Sequence, residues 1–170
     1  MSNFDNIVSG PASVLFDDVA VGHTSGGIES TIKPQNRARN VDQFGKGECN
    51  IIHNGDECRS KVPLSEWTAA TLAKINNPGN NQTAASGAKY LGIGRSAGYI
   101  YTAADMKIVP RLTADVAKAL QFYRTTPIGD FKLQFDGGEK DRVFEVQYAH
   151  LIDESKTDGE LIGKIKLSAA

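Results

Sequence analysis

The residues best suited to hold a metal ion lie in one short stretch that contains Cys49, His53, Asp56 and Cys58. Strand alternation places Cys49 and His53 on one face, but four residues separate them by roughly 13 Å at about 3.3 Å per residue. Zinc ligands stand only about 2.0–2.3 Å from the ion, so one tetrahedral site cannot include both side chains. We therefore expect a hairpin with two small reduced thiols and no metal.

A second candidate is the glycine-rich segment Gly92-Ile93-Gly94-Arg95-Ser96-Ala97, which matches the relaxed dinucleotide-binding fingerprint with alanine in the place of the third glycine. That fingerprint holds a pyrophosphate only where a strand precedes it and a helix N-terminus follows it. Here Gly98-Tyr99-Ile100-Tyr101-Thr102 follows, a composition typical of a strand. We expect a connection between strands and no cofactor.

Catalytic groups are scattered along the chain. No histidine lies in a Gly-x-Ser-x-Gly elbow or beside a candidate nucleophile, although triads also assemble from distant segments. Two acidic pairs adjoin turn-like sequence and are expected to be solvated loop charges. The histidines are His23, His53 and His150, and the acidic pairs are Asp17-Asp18 and Asp153-Glu154. We expect no catalytic residue and a protein that is not an enzyme.

Composition favours a single domain over 1–170. Hydrophobic residues make up 40% of the 170 residues, and 17 glycines bring the apolar share to about half, so a core is available. The 19 basic and 20 acidic side chains nearly balance, and the densest basic clusters are only the pairs Arg37/Arg39 and Lys164/Lys166. Tight nucleic-acid binding is therefore disfavoured. With neither a membrane span nor a signal peptide, we expect a soluble, unexported protein.

Alternation of apolar and polar residues dominates the chain and predicts half-buried antiparallel strands. It is clear at Ile28-Ser30-Ile32, on both sides of Asn54-Gly55, and at Phe131-Leu133-Phe135, which turns at Gly137-Gly138 into Phe144-Val146-Tyr148. Weaker strands are predicted near 12–21, 39–44, 87–93, 98–102, 106–112 and 160–167. The segment 113–124 is predicted as a short helical turn followed by a strand.

Asn54-Gly55 predicts a two-residue hairpin, because both central residues of a type I′ turn need a positive φ. In that hairpin, residue 53 opposes 56, Ile51 opposes Cys58 and Cys49 opposes 60. Glu48 then opposes Lys61, and Asn50 opposes Arg59. The two cysteines share a face but sit diagonally, too far apart for a disulfide.

The sequence predicts one helix, over about 65–76. Ser65 can cap it through Thr68, Glu66 suits its positive end, and Leu64, Thr68, Leu72 and Ile75 follow a helical spacing beside Trp67. Asn76-Asn77-Pro78-Gly79 ends it. The expected fold is mainly β: a β-sandwich or β-barrel of antiparallel strands with one flanking α-helix and long loops.

The order of these segments resembles the major tail tube proteins of long-tailed bacteriophages, from about residue 12 to 167. An early strand pair ends near Val21-Gly22. The other matching stretches are Gly27-Ile28-Glu29-Ser30-Thr31-Ile32-Lys33-Pro34, Val41-Asp42-Gln43, Lys61-Val62-Pro63-Leu64 running into Ser65-Glu66-Trp67-Thr68, Phe122-Tyr123-Arg124-Thr125-Thr126-Pro127-Ile128-Gly129-Asp130, and Arg142-Val143-Phe144-Glu145-Val146. Residues 76–104 depart from a compact version of the family.

The resemblance implies six copies closing into a ring, with rings stacking head-to-tail into a tube that conducts double-stranded DNA without binding it specifically. It also implies contacts with the tape measure, terminator and distal tail proteins, location in the virion tail after assembly in the host cytoplasm, and neither a membrane partner nor a cofactor. Residues 1–11 would be an N-terminal arm, and 34–47 and 76–88 extended loops.

Three groups of residues are candidates for the contacts of such a tube. The ring-stacking candidates are Arg37, Arg39, Asp42 and Phe44; the lumen-facing candidates are Glu48, Asn50, Glu57, Arg59 and Lys61; and the helix-anchor or interface candidates are Glu66 and Trp67. The alternatives are a capsid decoration or tail-completion protein, the tube of a contractile secretion system, and a small ligand-binding or enzymatic β-barrel.

Overall fold

The computed structural model describes residues 11–40, 48–66, 68, 72, 81–83, 89–91, 96–111, 118–128 and 143–166, and these residues form ten strands. The strands are β1 Ala12–Phe16, β2 Val19–Ala20, β3 Glu29–Asn40, β4 Glu48–Leu64, β5 Asn81–Thr83, β6 Lys89–Leu91, β7 Ala104–Pro110, β8 Leu120–Pro127, β9 Phe144–Leu151 and β10 Gly163–Ile165. The prediction of a mainly β, antiparallel protein is confirmed.

Eight strands form one antiparallel sheet, in the order β2-β1-β7-β8-β9-β4-β3, with β10 paired to β8. Strands β5 and β6 pair only with each other. Among the described residues, β3 therefore has one neighbour, β4, and its other edge is free of the ladder. Such an edge offers unpaired backbone N–H and C=O groups.

The core lies on one face of this sheet. It consists of Val14, Phe16, Val21, Cys58, Val62, Leu64, Met106, Ile108, Phe122, Val146 and Tyr148. The rings of Phe16 and Tyr148 lie 5.6 Å apart although β7 and β8 separate their strands, so the sheet curves over its core. A bridge from Thr24 to Leu64 ties the segment after β2 to the end of β4. Closure into a sandwich or barrel stays a prediction.

The hairpin predicted at Asn54-Gly55 is wrong, because β4 runs through this dipeptide as one strand of 17 residues. Gly55 has a positive φ of 125°, and Asn54 is skipped by the register, in which Gln35 pairs with Gly55 and Asn36 with His53. The dipeptide therefore forms a β-bulge, a structure that also uses a glycine with positive φ. The positive φ that glycine allows, which predicted a turn, is used here at a bulge inside a strand.

The cross-strand pairs derived from that hairpin are wrong as well. Lys61 pairs with Glu29 on one side and with Gln147 on the other, and Arg59 pairs with Thr31 and Ala149. A two-residue turn with positive φ at both positions does occur, at Asp17-Asp18 between β1 and β2, with φ values of 54° and 56°.

The strand predicted at 98–102 is also wrong. Gly98 takes a φ of 83°, and Tyr99 N donates to Ser96 O at 3.2 Å, so the chain turns here and β7 begins only at Ala104. The segments 41–47, 73–80, 84–88, 92–95, 112–117 and 129–142 lie outside the described residues, and with them the strand predicted at 131–135.

A flanking helix is not seen within the described residues, and most of 65–76, including Trp67, lies outside them. Leu72 N donates to Thr68 O at 2.9 Å, one hydrogen bond of helical spacing. Ser65, the predicted cap of this helix, donates from both its N and its Oγ to His23 O, at 2.9 and 3.2 Å. The end of β4 is thus held by the segment that follows β2.

We predict that Gly163→Ala weakens the attachment of β10 to β8. A Cβ at Gly163 would stand well inside van der Waals distance of the carbonyl oxygen of Gln121 and close to the Phe122 ring, so backbone must move. The expected loss in free energy of unfolding is about 1–3 kcal/mol, measured by chemical denaturation. Gly27→Ala is the matched control, because a Cβ there meets nothing within 4 Å. Equal stability of the two variants would contradict the prediction.

Candidate functional site

The first half of β4 and the second half of β3 form a two-stranded ribbon, defined as residues 33–40 and 48–57. Only residues 58–64 of β4 pair with β9, so within the described residues each ribbon strand pairs with the other alone. All described ribbon side chains are exposed except Ile52, which is half-buried. A two-stranded hairpin alone is only marginally stable in water, so contact with a further partner would stabilise this ribbon.

Two of the predicted ring-stacking residues lie on this ribbon. Arg37 pairs with Ile52 and Arg39 with Asn50, and all four stand on one face by strand alternation. Asp42 and Phe44, the other two, lie outside the described residues. The opposite face carries Ile51, which is 64% exposed.

A histidine spans the bulge of the ribbon. His53 Nδ1 lies 3.2 Å from Asn36 Oδ1 on β3, and His53 Nε2 lies 3.4 Å from Asp56 Oδ2 beyond the bulge. The imidazole thus bridges both strands and both sides of the irregularity. These exposed contacts hold the local shape of the ribbon more than they stabilise the whole fold.

Where the ribbon joins the body, the outer face of β3, β4 and β9 carries alternating charges. We call Glu29, Lys33, Glu57, Arg59, Lys61 and Glu145 the charged face. Arg59 Nε lies 2.6 Å from Glu57 Oε1, and Lys61 Nζ lies 3.1 Å from Glu145 Oε1. Hydrogen bonding and charge attraction from Lys61 lower the pKa of Glu145. Arg59 and Lys61 therefore each have an acidic partner.

Of the predicted lumen-facing residues, the structure brings Glu57, Arg59 and Lys61 together on the charged face. Asn50 lies farther out on the ribbon, opposite Arg39. Glu48 pairs with Asn40 beyond a second register shift. Whether this surface lines a channel stays a prediction.

Beneath the charged face, four side chains form a polar row across four strands: Ser30 of β3, Ser60 of β4, His150 of β9 and Thr125 of β8. Ser30 Oγ and Ser60 Oγ are 2.7 Å apart, Ser60 Oγ and His150 Nε2 are 2.7 Å apart, and His150 Nδ1 and Thr125 Oγ1 are 2.8 Å apart. The ring of Phe122 stacks on the imidazole with centroids 3.4 Å apart. Both imidazole nitrogens are thus hydrogen-bonded inside the core.

The polar row contains a serine and a histidine in contact, yet it is poorly suited to nucleophilic catalysis. Ser60 is only 1% exposed, so a substrate cannot reach its hydroxyl. Burial lowers the pKa of His150 to about 3, and a base this weak removes protons poorly near neutral pH. Sequence analysis missed this contact because 90 residues separate its members. The arrangement is suited to joining strands.

The predicted anchor Glu66 holds the chain after β2. Its Oε2 accepts a hydrogen bond from His23 N at 3.0 Å, and a Cβ at Gly22, where φ is 105°, would crowd the same carboxylate. Trp67 lies outside the described residues. Glu66 therefore positions the connection between β2 and β3.

The other chemical candidates find no support in the described part of the chain. No group of three or more histidine, cysteine, aspartate or glutamate side chains is placed there to hold a metal. Cys58 is buried and unbridged, and burial with a nearby Asp56 raises its thiol pKa to about 11. Most of the fingerprint at 92–97 lies outside the described residues. None of the described helical residues belongs to a segment able to span a membrane.

We predict that His150 makes the fold sensitive to acid. In the unfolded chain this imidazole takes up a proton below its ordinary pKa of 6.5, whereas the folded protein keeps it neutral down to about pH 3. Between pH 7 and about pH 4.5 the free energy of unfolding should therefore fall by about 2–3 kcal/mol more in the wild type than in His150→Gln. Denaturant titrations at several pH values measure this difference.

The control for this measurement is Ile100→Gln, which introduces the same side chain at an 87% exposed position without removing a titratable group and should keep the wild-type profile. Parallel profiles for the wild type and His150→Gln would contradict the prediction.

No protein-family model matches the chain, and no curated protein matches it. Among solved structures, the chain is similar to the sheath/tube terminator of an extracellular contractile injection system, PVC, in its extended state, determined by cryo-EM. The alignment covers 84% of this chain and 94% of that chain, with 12% sequence identity and a TM-score of 0.49. At this TM-score the likeness carries no functional argument, so the proposals below rest on the residues of this chain.

Proposed function

We propose that this chain is the structural subunit of a tail tube, forming hexameric rings that stack head-to-tail. The observation that carries the proposal is the ribbon, in which each strand pairs only with the other among the described strands. The order of sequence segments that resembles tail tube proteins supports the same assignment. In this role the protein is not an enzyme and needs no cofactor.

The dimensions of the ribbon suit contact between rings. Its eight β3 residues extend roughly 26 Å at about 3.3 Å per residue, a length that offers a long edge and two faces to a neighbouring copy. Stacking of identical rings requires heterologous contacts, in which a projection on one copy meets a different surface on the next. Arg37, Arg39 and Ile51 are the described ribbon residues that we assign to this contact.

The charged face is proposed to line the channel. A lining that conducts DNA must not hold its phosphates, because each neutralised phosphate adds to affinity through counterion release. Pairing of Arg59 with Glu57 and of Lys61 with Glu145 meets this requirement. In this proposal the two halves of β4 have different roles. The ribbon half binds the next copy, and the half at its base has a low affinity for DNA.

We predict that purified protein at high concentration forms hollow rods and that Ile51→Asp blocks them. Ile51 is 64% exposed in the single subunit, so the substitution should leave the fold intact and remove an apolar contact between copies. Negative-stain electron microscopy detects the rods, and circular dichroism checks the fold.

The matched control for Ile51→Asp is Ile100→Asp, which places the same charge on an isoleucine that is 87% exposed and lies outside the ribbon. This variant should still form rods. Rods from both variants would remove the ribbon from the proposal, and the absence of rods and rings from the wild type under all conditions would contradict the tube itself. Asp42 and Phe44 substitutions are expected to act like Ile51→Asp.

A second prediction concerns the charged face. Replacing both acids in Glu57→Gln/Glu145→Gln removes the carboxylates that contact Arg59 and Lys61, so double-stranded DNA should be retained at low salt and released as salt rises. Gel mobility shift at several salt concentrations measures this. The control Glu154→Gln/Asp158→Gln changes net charge equally on exposed residues of another loop and should bind no DNA. Equal retention by the two double variants would contradict the local role of the charged face.

A further inference from the structure

Asn54 occupies an unusual place in β4. It is exposed, it lies in the bulge, and the register between β3 and β4 passes from Gly55 to His53 without assigning it a partner. Because residues 48–57 pair with β3 alone among the described strands, nothing in the described ladder covers its other side. Asn54-Gly55 is also the single Asn-Gly dipeptide in the sequence.

We propose that Asn54 is a site of spontaneous deamidation, a covalent modification that the folded protein permits because of the bulge. The backbone nitrogen of Gly55 gives up its proton and attacks Cγ of Asn54. A new N–Cγ bond forms, the Cγ–Nδ2 bond breaks, and ammonia leaves with a five-membered succinimide behind it. Water then opens either imide bond, giving an aspartyl or an isoaspartyl residue at position 54, and no electron is transferred.

Two features of Gly55 favour this reaction. Glycine has no side chain to shield its backbone nitrogen, and a Cβ added at Gly55 would meet no atom of a residue other than its chain neighbours within 4 Å, so the side of Gly55 on which a side chain would stand is open. Ring closure also requires the Asn54 backbone to rotate. A residue that the bulge leaves outside the cross-strand pairs is freer to do so than its neighbours in register.

Asn50, on the same ribbon, shows the opposite arrangement. The N–H that follows it, that of Ile51, donates to Asn50 Oδ1 at 2.8 Å, so this nitrogen is already engaged with the side-chain oxygen. Ile51 is also β-branched, which crowds its backbone nitrogen. Asn50 pairs with Arg39 in register. Asn50 is therefore an internal reference for the deamidation rate of Asn54, because it is the same residue type in the same strand.

The modification would alter the ribbon. A carboxylate at position 54 stands within two residues of Asp56, so like charges face each other where His53 now bridges the bulge. An isoaspartyl residue also lengthens the main chain by one methylene group, which would disturb the hydrogen bonds of the neighbouring residues in the ribbon. Where the ribbon serves assembly, as proposed above, modified subunits would assemble poorly, but the chemistry itself does not depend on that role.

The test is peptide mapping by mass spectrometry of the folded full-length protein during prolonged incubation at neutral pH. Asn54 should convert at least an order of magnitude faster than Asn50 and Asn36, with both isomeric products resolved by chromatography. Asn54→Ser should show no conversion in this peptide while the other sites keep their rates. Conversion of Asn54 no faster than that of Asn50 or Asn36 would overturn the proposal.

A second arm isolates the contribution of the bulge. The same mapping on chain held in denaturant gives the rate set by sequence alone. If the bulge leaves Asn54 unprotected, the folded and denatured rates should agree within an order of magnitude. A folded rate far below the denatured one would show that the ladder protects Asn54, which would overturn the inference even if the dipeptide reacts when unfolded.

Discussion

A β-strand inside a sheet needs a partner on each side, and β4 has two described partners along only part of its length. From Cys58 to Lys61 it lies between β3 and β9, whereas from Glu48 to Glu57 it pairs with β3 alone among the described strands. Its exposed edge can be hydrated in a single subunit, but hydration does not fix the direction of a long ribbon. In the proposed tube, assembly would give this half of β4 a defined environment. Asn54 is exposed in the single subunit, where this half of β4 pairs with β3 alone among the described strands.

The base of the ribbon, in contrast, is firmly held. Ser30, Ser60, His150 and Thr125 join four neighbouring strands through side chains in addition to the backbone ladder. Buried polar groups are costly unless they are hydrogen-bonded, so this row favours the register that pairs all its members. A slip of β4 by one residue would remove Ser60 from His150 and point it to the charged face. The polar row thus sets where the body ends and the ribbon begins.

The strands and their buried faces could be predicted from sequence. In a strand with one buried face, every second side chain points into the core, so apolar and polar residues alternate. Val62, Leu64, Val146 and Tyr148 are buried as their pattern indicated. The Asn-Gly dipeptide misled because a turn and a bulge both use glycine with positive φ, and only β3, whose register with β4 is a tertiary property, decides between them. The polar row could not be found for a similar reason: its hydrogen-bonded neighbours lie 25 to 90 positions apart and carry no shared motif.

Basic residues are placed differently along the two halves of the β3–β4 pair. Arg59 and Lys61 lie at the base, and each has a carboxylate within 3.1 Å, so their charges are neutralised inside the subunit. Arg37 and Arg39 lie on the ribbon opposite Ile52 and Asn50, neither of which can neutralise them. Arginine forms its strongest contacts with carboxylates, in a planar, two-pronged geometry. In the proposed tube, Arg37 and Arg39 would let one face of the ribbon bind carboxylates of the next copy, while the paired charges at the base would let DNA pass without being held.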